Sequence, residues 1–297
     1  MQEVSRACAS TAVTMAVTNM VGEVIAAFGT EEQKARHNPK LASGDYAAGA
    51  FALSEPEAGS DPGSMRTTAT RDGDHWILEG QKQWITSGAH AGVMVVWART
   101  ADKNELPGTR GISCFLVEQG TPGLSVTRKE DKLGLCASST VSLAFEDCAV
   151  PADALLGNEG AGFKVAMMAL DGGRIGIASQ ALGIASAACD EAVAYAKERK
   201  QFGHPIADFQ AIQWMLADSR TELDTARLLT LRAAWLKEHG QAFSSQAAMA
   251  KLYASEAAYR ICDHNLQIHG GAGYVKDFAA EMLLHDDAIG RRALLHR

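Results

Sequence analysis

Several short segments of the sequence combine residue types that could bind a phosphorylated or planar ligand. The first reads Ser-Glu-Pro-Glu-Ala-Gly-Ser-Asp at 54–61 and follows a short apolar run. Its small side chains and its glycine could direct backbone N–H groups and hydroxyls at a phosphate or at the polar edge of a ring. An ordinary acidic surface loop has the same composition, so this segment alone leaves both interpretations open.

A second segment reads Lys-Gln-Trp-Ile-Thr-Ser-Gly at 82–88, within a stretch that we predict to be a strand. It places the indole of Trp84 near the hydroxyl of Thr86, an arrangement that could cover one face of a planar heterocycle. A tryptophan in a strand is also a common core residue. The pattern therefore indicates a ring-binding site only in combination with other signals.

A third segment, Asp171, Gly172, Gly173 and Arg174, inserts two glycines and a charge pair into a helical pattern. Each glycine in a helix interior costs about 1 kcal/mol relative to alanine. That cost favours a place where a ligand approaches the backbone closely.

The last two segments follow predicted helices, Arg-Lys-Gln-Phe-Gly at 199–203 and Gln-Ile-His-Gly-Gly at 267–271. An arginine can bind a pyrophosphate through paired hydrogen bonds, and glycines let a nucleotide come close to the backbone. Both segments could equally be helix C-caps.

Other templates do not fit the sequence. Gly-Asn-Glu-Gly-Ala-Gly at 157–162 lacks the order of a dinucleotide or P-loop motif, so we interpret it as a tight turn before a helix. His264 and His269 are five residues apart, on different helix faces, and we predict no metal site. No Gly-x-Ser-x-Gly string of a serine hydrolase is present.

The composition limits the class of protein. With 297 residues, 47% hydrophobic and 21% charged, the chain is typical of a soluble globular protein. Its net charge of −7 argues against a nucleic-acid partner, so local cations must meet any anionic ligand. The six cysteines follow no CxxC pattern, and we predict buried thiols in a reducing compartment.

The apolar stretch at 7–27 is interrupted by Asn19 and Glu23. It therefore falls short of the roughly 18 uninterrupted apolar residues of a membrane helix. We predict no membrane insertion and no secretion signal.

The residue patterns divide the chain into three predicted domains of an α+β fold. Residues 1–44 read as two or three helices of a partial helical domain, with a capping-box-like start at 30–36. Residues 45–156 alternate in strand-like runs between turn signals, which predicts an antiparallel barrel or sandwich. Residues 157–297 return to helical spacing and predict an incomplete antiparallel bundle of three long helices with small residues on their seams.

Together and in this order, the segments resemble the acyl-CoA dehydrogenase family, from near Met1 to about Asp287. The likeness is strongest to the short-chain (butyryl-CoA) branch. It rests on four strings: Phe-Ala-Leu-Ser-Glu-Pro at 51–56, Lys-Glu-Asp-Lys-Leu-Gly at 129–134, Ser-Ser-Thr at 138–140 and Gly-Arg-Ile-Gly-Ile-Ala-Ser-Gln-Ala-Leu-Gly at 173–183.

The resemblance implies a set of binding residues. Those around the flavin of FAD would be Leu53, Ser54, Gly59, Ser60, Trp84, Ile85 and Thr86. Those at the adenosine and pyrophosphate of an FAD held by a neighbouring subunit would be Arg199, Gln210, Gln267, Ile268, His269, Gly270 and Gly271. Those lining the acyl-CoA substrate would be Ser60, Asp171, Gly172, Gly173 and Arg174.

The implied reaction is the FAD-dependent α,β-dehydrogenation of a short-chain acyl-CoA to the trans-2-enoyl-CoA. A carboxylate removes the α-proton, and the β-hydride passes to flavin N5. The resemblance further implies electron-transferring flavoprotein as the electron acceptor and a homotetramer or homodimer. It implies a location in the bacterial cytoplasm or the mitochondrial matrix.

The sequence departs from the family at the catalytic base. The family's glutamate stands either just before the bundle arginine, where this chain has Gly173, or in a Tyr-Glu-Gly-Thr string that counting aligns with Leu294. We therefore expect no catalytic base and impaired dehydrogenation. We also expect a chain shortened at both ends, as a gene fragment or a frameshifted copy would be.

Two alternatives remain for the function. One is a catalytically silent FAD- or CoA-binding remnant of the family. The other, a flavin monooxygenase or oxidase on the same fold, is disfavoured because the CoA-lining segment at 171–174 would then serve no purpose.

Overall fold

The computed structural model describes residues 1–102 and 106–290. The chain divides into two compact units, one of residues 14–131 and 138–170, called here the sheet unit. The other, called here the helical unit, contains residues 1–13, 132–137 and the described chain from 171 onward. The boundaries of the three domains drawn from the sequence stay a prediction.

Three helices open the chain, as the helical spacing of the first 44 residues predicts. They are α1 (Gln2–Ala7), α2 (Ala9–Phe28) and α3 (Glu31–Ser43). The predicted capping box is confirmed, because the Thr30 hydroxyl accepts the Gln33 N–H at 3.2 Å and the Gln33 side chain accepts the Thr30 N–H at 3.0 Å. The Gln33 amide also donates to the carbonyls of Asp153 and Leu155, which fastens α3 within the sheet unit.

The sheet unit contains seven paired strands. They are β1 (Gly49–Ala52), β2 (Thr68–Asp72), β3 (His75–Thr86), β4 (Val93–Arg99), β5 (Ile112–Glu118), β6 (Leu124–Lys129) and β7 (Thr140–Pro151). The order is β1-β4-β2-β3-β7-β6, with β5 paired to β4. Alternating residues of β3 face the core, since Trp76 and Leu78 are buried between exposed or half-buried neighbours.

The prediction of an antiparallel barrel or sandwich is wrong about strand direction, because the sheet also contains parallel pairs. Strand β1 runs parallel to β4, from the Gly49 and Val93 pair onward, and β2 meets β4 in parallel at Thr68 and Arg99. The result is one curled, mixed sheet in the form of a half-barrel. A parallel pair needs a long connection between its strands, and residues 53–92 supply it.

Large side chains fill the interior of the sheet unit. Trp97 is fully buried, its indole N–H donates to the Gly162 carbonyl at 2.7 Å, and its ring lies 4.3 Å from that of Phe51. Phe115 and Phe145 belong to a second, continuous apolar cluster of the same unit. Packing of this kind makes the sheet a rigid support for the loops attached to it.

The helical unit is built on three long helices that confirm the predicted helical periodicities. Helix α4 (Gly162–Glu198) begins in the sheet unit and continues into the helical unit, which also contains α5 (Gln210–Glu238), α6 (Ser244–His269) and the short α7 (Ala280–Asp287). A two-stranded hairpin of β8 (Lys200–Gln201) and β9 (His204–Pro205) follows α4. The core seam consists largely of small residues such as Ala178, Ala226 and Ala254. Leu252 of α6 is 44% exposed and is not part of that seam.

Two further expectations concern cysteines and the membrane. Cys114, Cys148, Cys189 and Cys262 are buried thiols as predicted, but Cys8 and Cys136 are exposed, so that part of the prediction is wrong. Within residues 1–102 and 106–290, α2 alone is long and apolar enough to cross a membrane by length and composition. A core helix of a soluble protein also passes this test.

Candidate functional site

The loop that follows β1 is tied to β3 by backbone hydrogen bonds. The Gln83 N–H donates to the Ser54 carbonyl at 2.9 Å, and Glu55 and Ala58 exchange two backbone bonds at 3.2 Å. Leu53 is 5% exposed, so it can offer a ligand only its backbone. Gly59 and Ser60 are exposed farther along the loop. Among the described residues, no atom lies within 4 Å of where a Gly59 side chain would begin.

Beside this loop, β3 contains a bulge at Trp84. Lys82 pairs with Leu143 and Ile85 pairs with Val141, so β3 has one more residue than β7 between these two pairs. Trp84 takes a φ of 64°, in the left-handed region that bulky residues rarely adopt, and its side chain is 58% exposed. Such backbone strain is common at functional sites. The exposed indole therefore fits a ring-covering role better than a core role.

The residues after the bulge complete the predicted ring-binding group. Ile85 is buried, which leaves its backbone for a ligand, whereas Thr86 is half-buried and pairs with Thr140 at the end of β3. The Ser87 N–H donates to the Ser139 carbonyl at 2.8 Å, which anchors the chain directly after Thr86. The structure thus brings Leu53 and Ser54 next to the strand that contains Trp84, Ile85 and Thr86, whereas Gly59 and Ser60 are exposed farther along the loop.

A buried ion pair lies beneath this group and has no counterpart among the predicted site residues. The Lys82 ammonium is 2.8 Å from a Glu55 oxygen, with side-chain exposures of 0% and 6%. Burial lowers the pKa of Lys82 to about 8, although the negative charge of Glu55 acts in the opposite direction and raises it. Burial on its own would raise the pKa of Glu55, but the charge of Lys82 and the N–H of Arg66 hold it below its usual value.

Five of the seven predicted nucleotide residues of the helical unit line a cavity of about 500 Å³. Its lining includes Arg199, Ile268, His269, Gly270 and Gly271. Gln210, the first residue of α5, is exposed between the lining residues Phe209 and Ile212, and Gln267 is exposed at the end of α6.

The hairpin beside this cavity carries a second strained aromatic residue. Its turn consists of Phe202 (φ 53°) and Gly203 (φ 85°), both in the left-handed region that a two-residue hairpin turn requires. The Phe202 ring is 91% exposed and meets Phe209 edge to face, with centroids 6.1 Å apart. A bulky residue at such a turn carries a backbone cost, which favours a role for the exposed ring.

On the other wall of the cavity, α6 ends in a tightly packed histidine. His269 stacks on Tyr195 at 4.1 Å, and its Nδ1 lies 2.9 Å from the Asn265 carbonyl oxygen. Gly270 then takes a φ of 57°, and no described atom lies within 4 Å of where a side chain at Gly270 or Gly271 would begin. His269 and Ile268 are themselves buried, so they support the cavity wall while the glycines leave it open.

The predicted substrate segment lies in one continuous helix, α4. Arg174 pairs with Asp171 one turn away, and the Ser244 hydroxyl donates to the same carboxylate. A guanidinium has five N–H donors, so this pair leaves others for an anion. Lys251 of α6 is buried, and burial together with the charge of Arg174 lowers its pKa. The Lys251 amine therefore lies within electrostatic range of the Arg174 guanidinium.

Of the two positions aligned with the family's base, one is described. Gly173 is a half-buried residue of α4 and offers no titratable group. Leu294 lies outside the described residues.

These two groups of residues have the features that FAD requires. The sheet unit offers an exposed indole beside hydroxyl and backbone groups, as a flavin ring needs, and the helical unit offers an arginine, glycines and an open cavity, as a dinucleotide needs. The sequence reasoning missed Glu55, Lys82, Phe202 and Lys251 as contributors. The sequence contains a recognisable signal for three of them. Lys82 and Lys251 are charged residues at positions whose spacing predicts that they face inward, and Phe202 precedes a glycine, as a turn residue often does.

Models of one protein family match nearly the whole chain. The N-terminal domain of acyl-CoA dehydrogenase matches residues 1–45, the middle domain matches residues 50–148, and the C-terminal domain matches residues 160–291.

Individual relatives give the same result. The chain is 53% identical over 291 residues to the mitochondrial short-chain specific acyl-CoA dehydrogenase of Bos taurus, covering 97% of this chain and 69% of the bovine one. The structure of butyryl-CoA dehydrogenase from Megasphaera elsdenii superposes with a TM-score of 0.96 at 42% identity, covering 99% of this chain and 76% of that one.

A further similar chain comes from a structure of the electron transferring flavoprotein of Acidaminococcus fermentans. Its TM-score is 0.97 at 45% identity, and the match covers 99% of this chain and 77% of that one. The three kinds of comparison indicate the same family. The family models match three successive segments, the bovine relative is more than half identical, and the Megasphaera structure superposes on nearly the whole chain. The chain belongs to the acyl-CoA dehydrogenase family, whose members are FAD-dependent oxidoreductases.

Proposed function

We propose that this chain binds FAD and a short-chain acyl-CoA and that it is built for α,β-dehydrogenation of that thioester. The observation that supports this most strongly is the bulge of β3, which presents Trp84 in a strained conformation beside the Ser54 and Thr86 region. The names of the bovine and Megasphaera relatives favour a short acyl chain. FAD, when bound, supplies the acceptor for the hydride that leaves the β-carbon.

Each group of residues has a distinct part in this proposal. Leu53, Ser54, Gly59 and Ser60 direct backbone and hydroxyl groups at the ring, Trp84 covers one face, and Ile85 and Thr86 bind along its edge. Arg199, Gln210 and residues 267–271 bind the pyrophosphate and adenosine of an FAD held by a neighbouring subunit. Arg174, with the charge of Lys251 nearby, attracts the anionic CoA.

Proton abstraction is the step for which this sequence lacks a residue. The α-proton of a thioester needs a positioned base, and such a base contributes about 10²–10⁴-fold to the rate. Neither Gly173 nor Leu294 can take that role, so we propose that dehydrogenation is impaired. The alternative is a chain that binds FAD and CoA without turnover.

A stripe of exposed apolar residues supports the proposal of a homotetramer or homodimer. On α5, Trp214, Leu228, Leu231 and Trp235 are 50–69% exposed and recur at helical spacing along one face. A patch of this kind is characteristic of an interaction surface. Electron-transferring flavoprotein is the proposed electron acceptor, since one similar chain comes from a structure of such a protein.

The proposal is tested by adding butyryl-CoA to the purified, FAD-loaded protein without oxygen. We expect slow bleaching of the visible flavin absorption, because the flavin accepts the hydride. A Gly173→Glu variant should bleach about 10²-fold or more faster, because it restores a carboxylate at a family base position.

Gly173→Gln is the matched control, since it has a similar size and no basic carboxylate. If Gly173→Glu and Gly173→Gln bind FAD and butyryl-CoA yet neither bleaches, the silent binding protein is the correct interpretation. A protein that binds neither ligand contradicts both versions of the proposal.

A further inference from the structure

The buried pair of Glu55 and Lys82 connects segments that are far apart in the chain. Besides Glu55, Lys82 donates to the Leu53 carbonyl at 3.3 Å. The Glu55 carboxylate accepts the backbone N–H of Arg66 at 2.6 Å and that of Thr67 at 3.1 Å. Residues 53–55 and residues 66–67 begin and end one loop, so the pair holds the two ends of that loop together.

The loop closed in this way contains most of the predicted flavin-ring group. Leu53 and Ser54 lie within its first fastened end, and Gly59 and Ser60 lie between the two ends. On the other side, Lys82 stands two residues before Trp84, and the intervening Gln83 donates its N–H to the Ser54 carbonyl at 2.9 Å. The pair therefore sets the position of the loop and of the bulge at the same time.

Stability does not account for two charges at this depth. Removing a charge from water costs more than a surface pair recovers, and well-packed apolar residues in place of a buried pair are often equally stable or more so. What a buried pair can supply is a fixed geometry, because each charge accepts only a few arrangements of partners. The other ionisable groups that act on it are Cys114 of β5, whose pKa burial raises, and Arg99 of β4, whose pKa burial lowers.

We propose that Glu55 and Lys82 are positioning residues that hold the 53–67 loop and Trp84 in the geometry that the flavin ring of FAD requires. This inference rests on the proposed function, because it assumes that FAD binds at that loop. Neither side chain is exposed, so both act through the backbone that they hold.

The test separates geometry from stability by comparing Lys82→Met, Glu55→Gln and the double variant Lys82→Met/Glu55→Gln. The measurements are the Kd for FAD, by quenching of flavin fluorescence on the apoprotein, the thermal midpoint and hydrogen exchange of the Arg66 and Thr67 amides. Each single variant should lower the midpoint, raise the Kd at least tenfold and speed exchange. The double variant is neutral, so its midpoint should return toward the wild-type value, while its Kd stays at least tenfold higher.

Gln33→Ala provides the matched control in the same unit. It removes the half of the capping box in which the Gln33 side chain accepts the Thr30 N–H, together with the bonds to Asp153 and Leu155, but touches no part of the loop. We expect a lower midpoint with an unchanged Kd.

Three results would overturn the inference: a double variant whose Kd recovers together with its midpoint, a Gln33→Ala variant whose Kd rises as much as that of Lys82→Met, or variants that all bind FAD like the wild type. A wild type that binds no FAD contradicts the proposed function as well. A wild type that binds FAD, with equal affinity in the variants, contradicts the inference alone.

Discussion

Trp84 and Phe202 are both exposed aromatic residues in left-handed backbone conformations, yet their surroundings differ. Trp84 belongs to a bulge in a long strand, with a fully buried lysine two residues before it. Phe202 stands at the tip of a hairpin whose strands have two residues each, and its only described ring contact is with Phe209.

The difference shows two ways of supporting an exposed aromatic residue. In the sheet unit, buried charges and large core side chains fix the geometry before any ligand arrives. In the helical unit, small residues fill the seam and large ones such as Trp214 and Trp235 lie outside. We infer that the geometry near Phe202 depends more on the ligand and on assembly, because less of the chain itself constrains it.

The largest expected effect comes from emptying the core of the sheet unit. Trp97→Ala removes a fully buried ring and its hydrogen bond to the Gly162 carbonyl. It should lower the free energy of unfolding by about 3–5 kcal/mol, measured by chemical denaturation. A loss below about 1 kcal/mol, the usual size for a point variant, would show that the core of the sheet unit is not as rigidly packed as the comparison with the helical unit requires.

A smaller effect is expected at the nucleotide cavity. Arg199→Gln removes a charge from the cavity lining, and losing a charged hydrogen bond of about 1.5–3 kcal/mol should raise the Kd for FAD roughly 10- to 100-fold. Lys200→Gln is the control, since Lys200 is an adjacent exposed cation that is absent from the lining. Equal effects in a titration of the two variants would mean that general charge, and not the cavity, attracts FAD.

The buried lysine predicts a pH dependence that the helical cavity should lack. The pKa of Lys82 falls from 10.5 to about 8 on folding, so between these values the unfolded chain binds more protons and the free energy of unfolding rises with pH. Relative to the neutral Lys82→Met/Glu55→Gln variant, the wild type should gain about 2 kcal/mol between pH 7 and pH 10. Urea denaturation of both proteins at each pH measures this, and a constant difference would contradict it.

The smallest effect on the folded chain is expected at the exposed stripe of α5. Trp214→Ser and Trp235→Ser should change the free energy of unfolding of the monomer by less than about 0.5 kcal/mol, since both side chains are at least half exposed. They should nevertheless shift the protein to smaller assemblies in sedimentation velocity. An unchanged sedimentation profile would remove the support that this stripe gives to oligomer formation.

Periodicity in the sequence was sufficient to predict most elements. Strand-like runs predicted β3 to β7 but not β1 or β2, and three- and four-residue spacing predicted α4, α5 and α6, because burial of one face selects such patterns directly. The same alternation places Lys82 on the inward side of β3 with Trp76 and Leu78. A buried lysine could therefore have been predicted, although its partner Glu55 could not.

Other features have no local signal. The parallel pairing of β1 with β4 depends on contacts across more than 40 residues, and the strand pattern is the same for either direction. The β8 and β9 strands are too short to show alternation. Cys8 and Cys136 are exposed despite the apolar character of cysteine, since their exposure depends on what packs around them. The bulge at Trp84 likewise follows from the register against β7.

The buried pair also limits how this sequence can change over generations. A neutral residue at position 82 alone leaves the Glu55 carboxylate without its counter-ion in the interior, and a neutral residue at position 55 does the same to Lys82. Either single replacement gives a less stable protein, whereas replacing both residues together need not lower the stability. Two positions 27 residues apart are therefore expected to covary, each tolerating change only when the other changes with it.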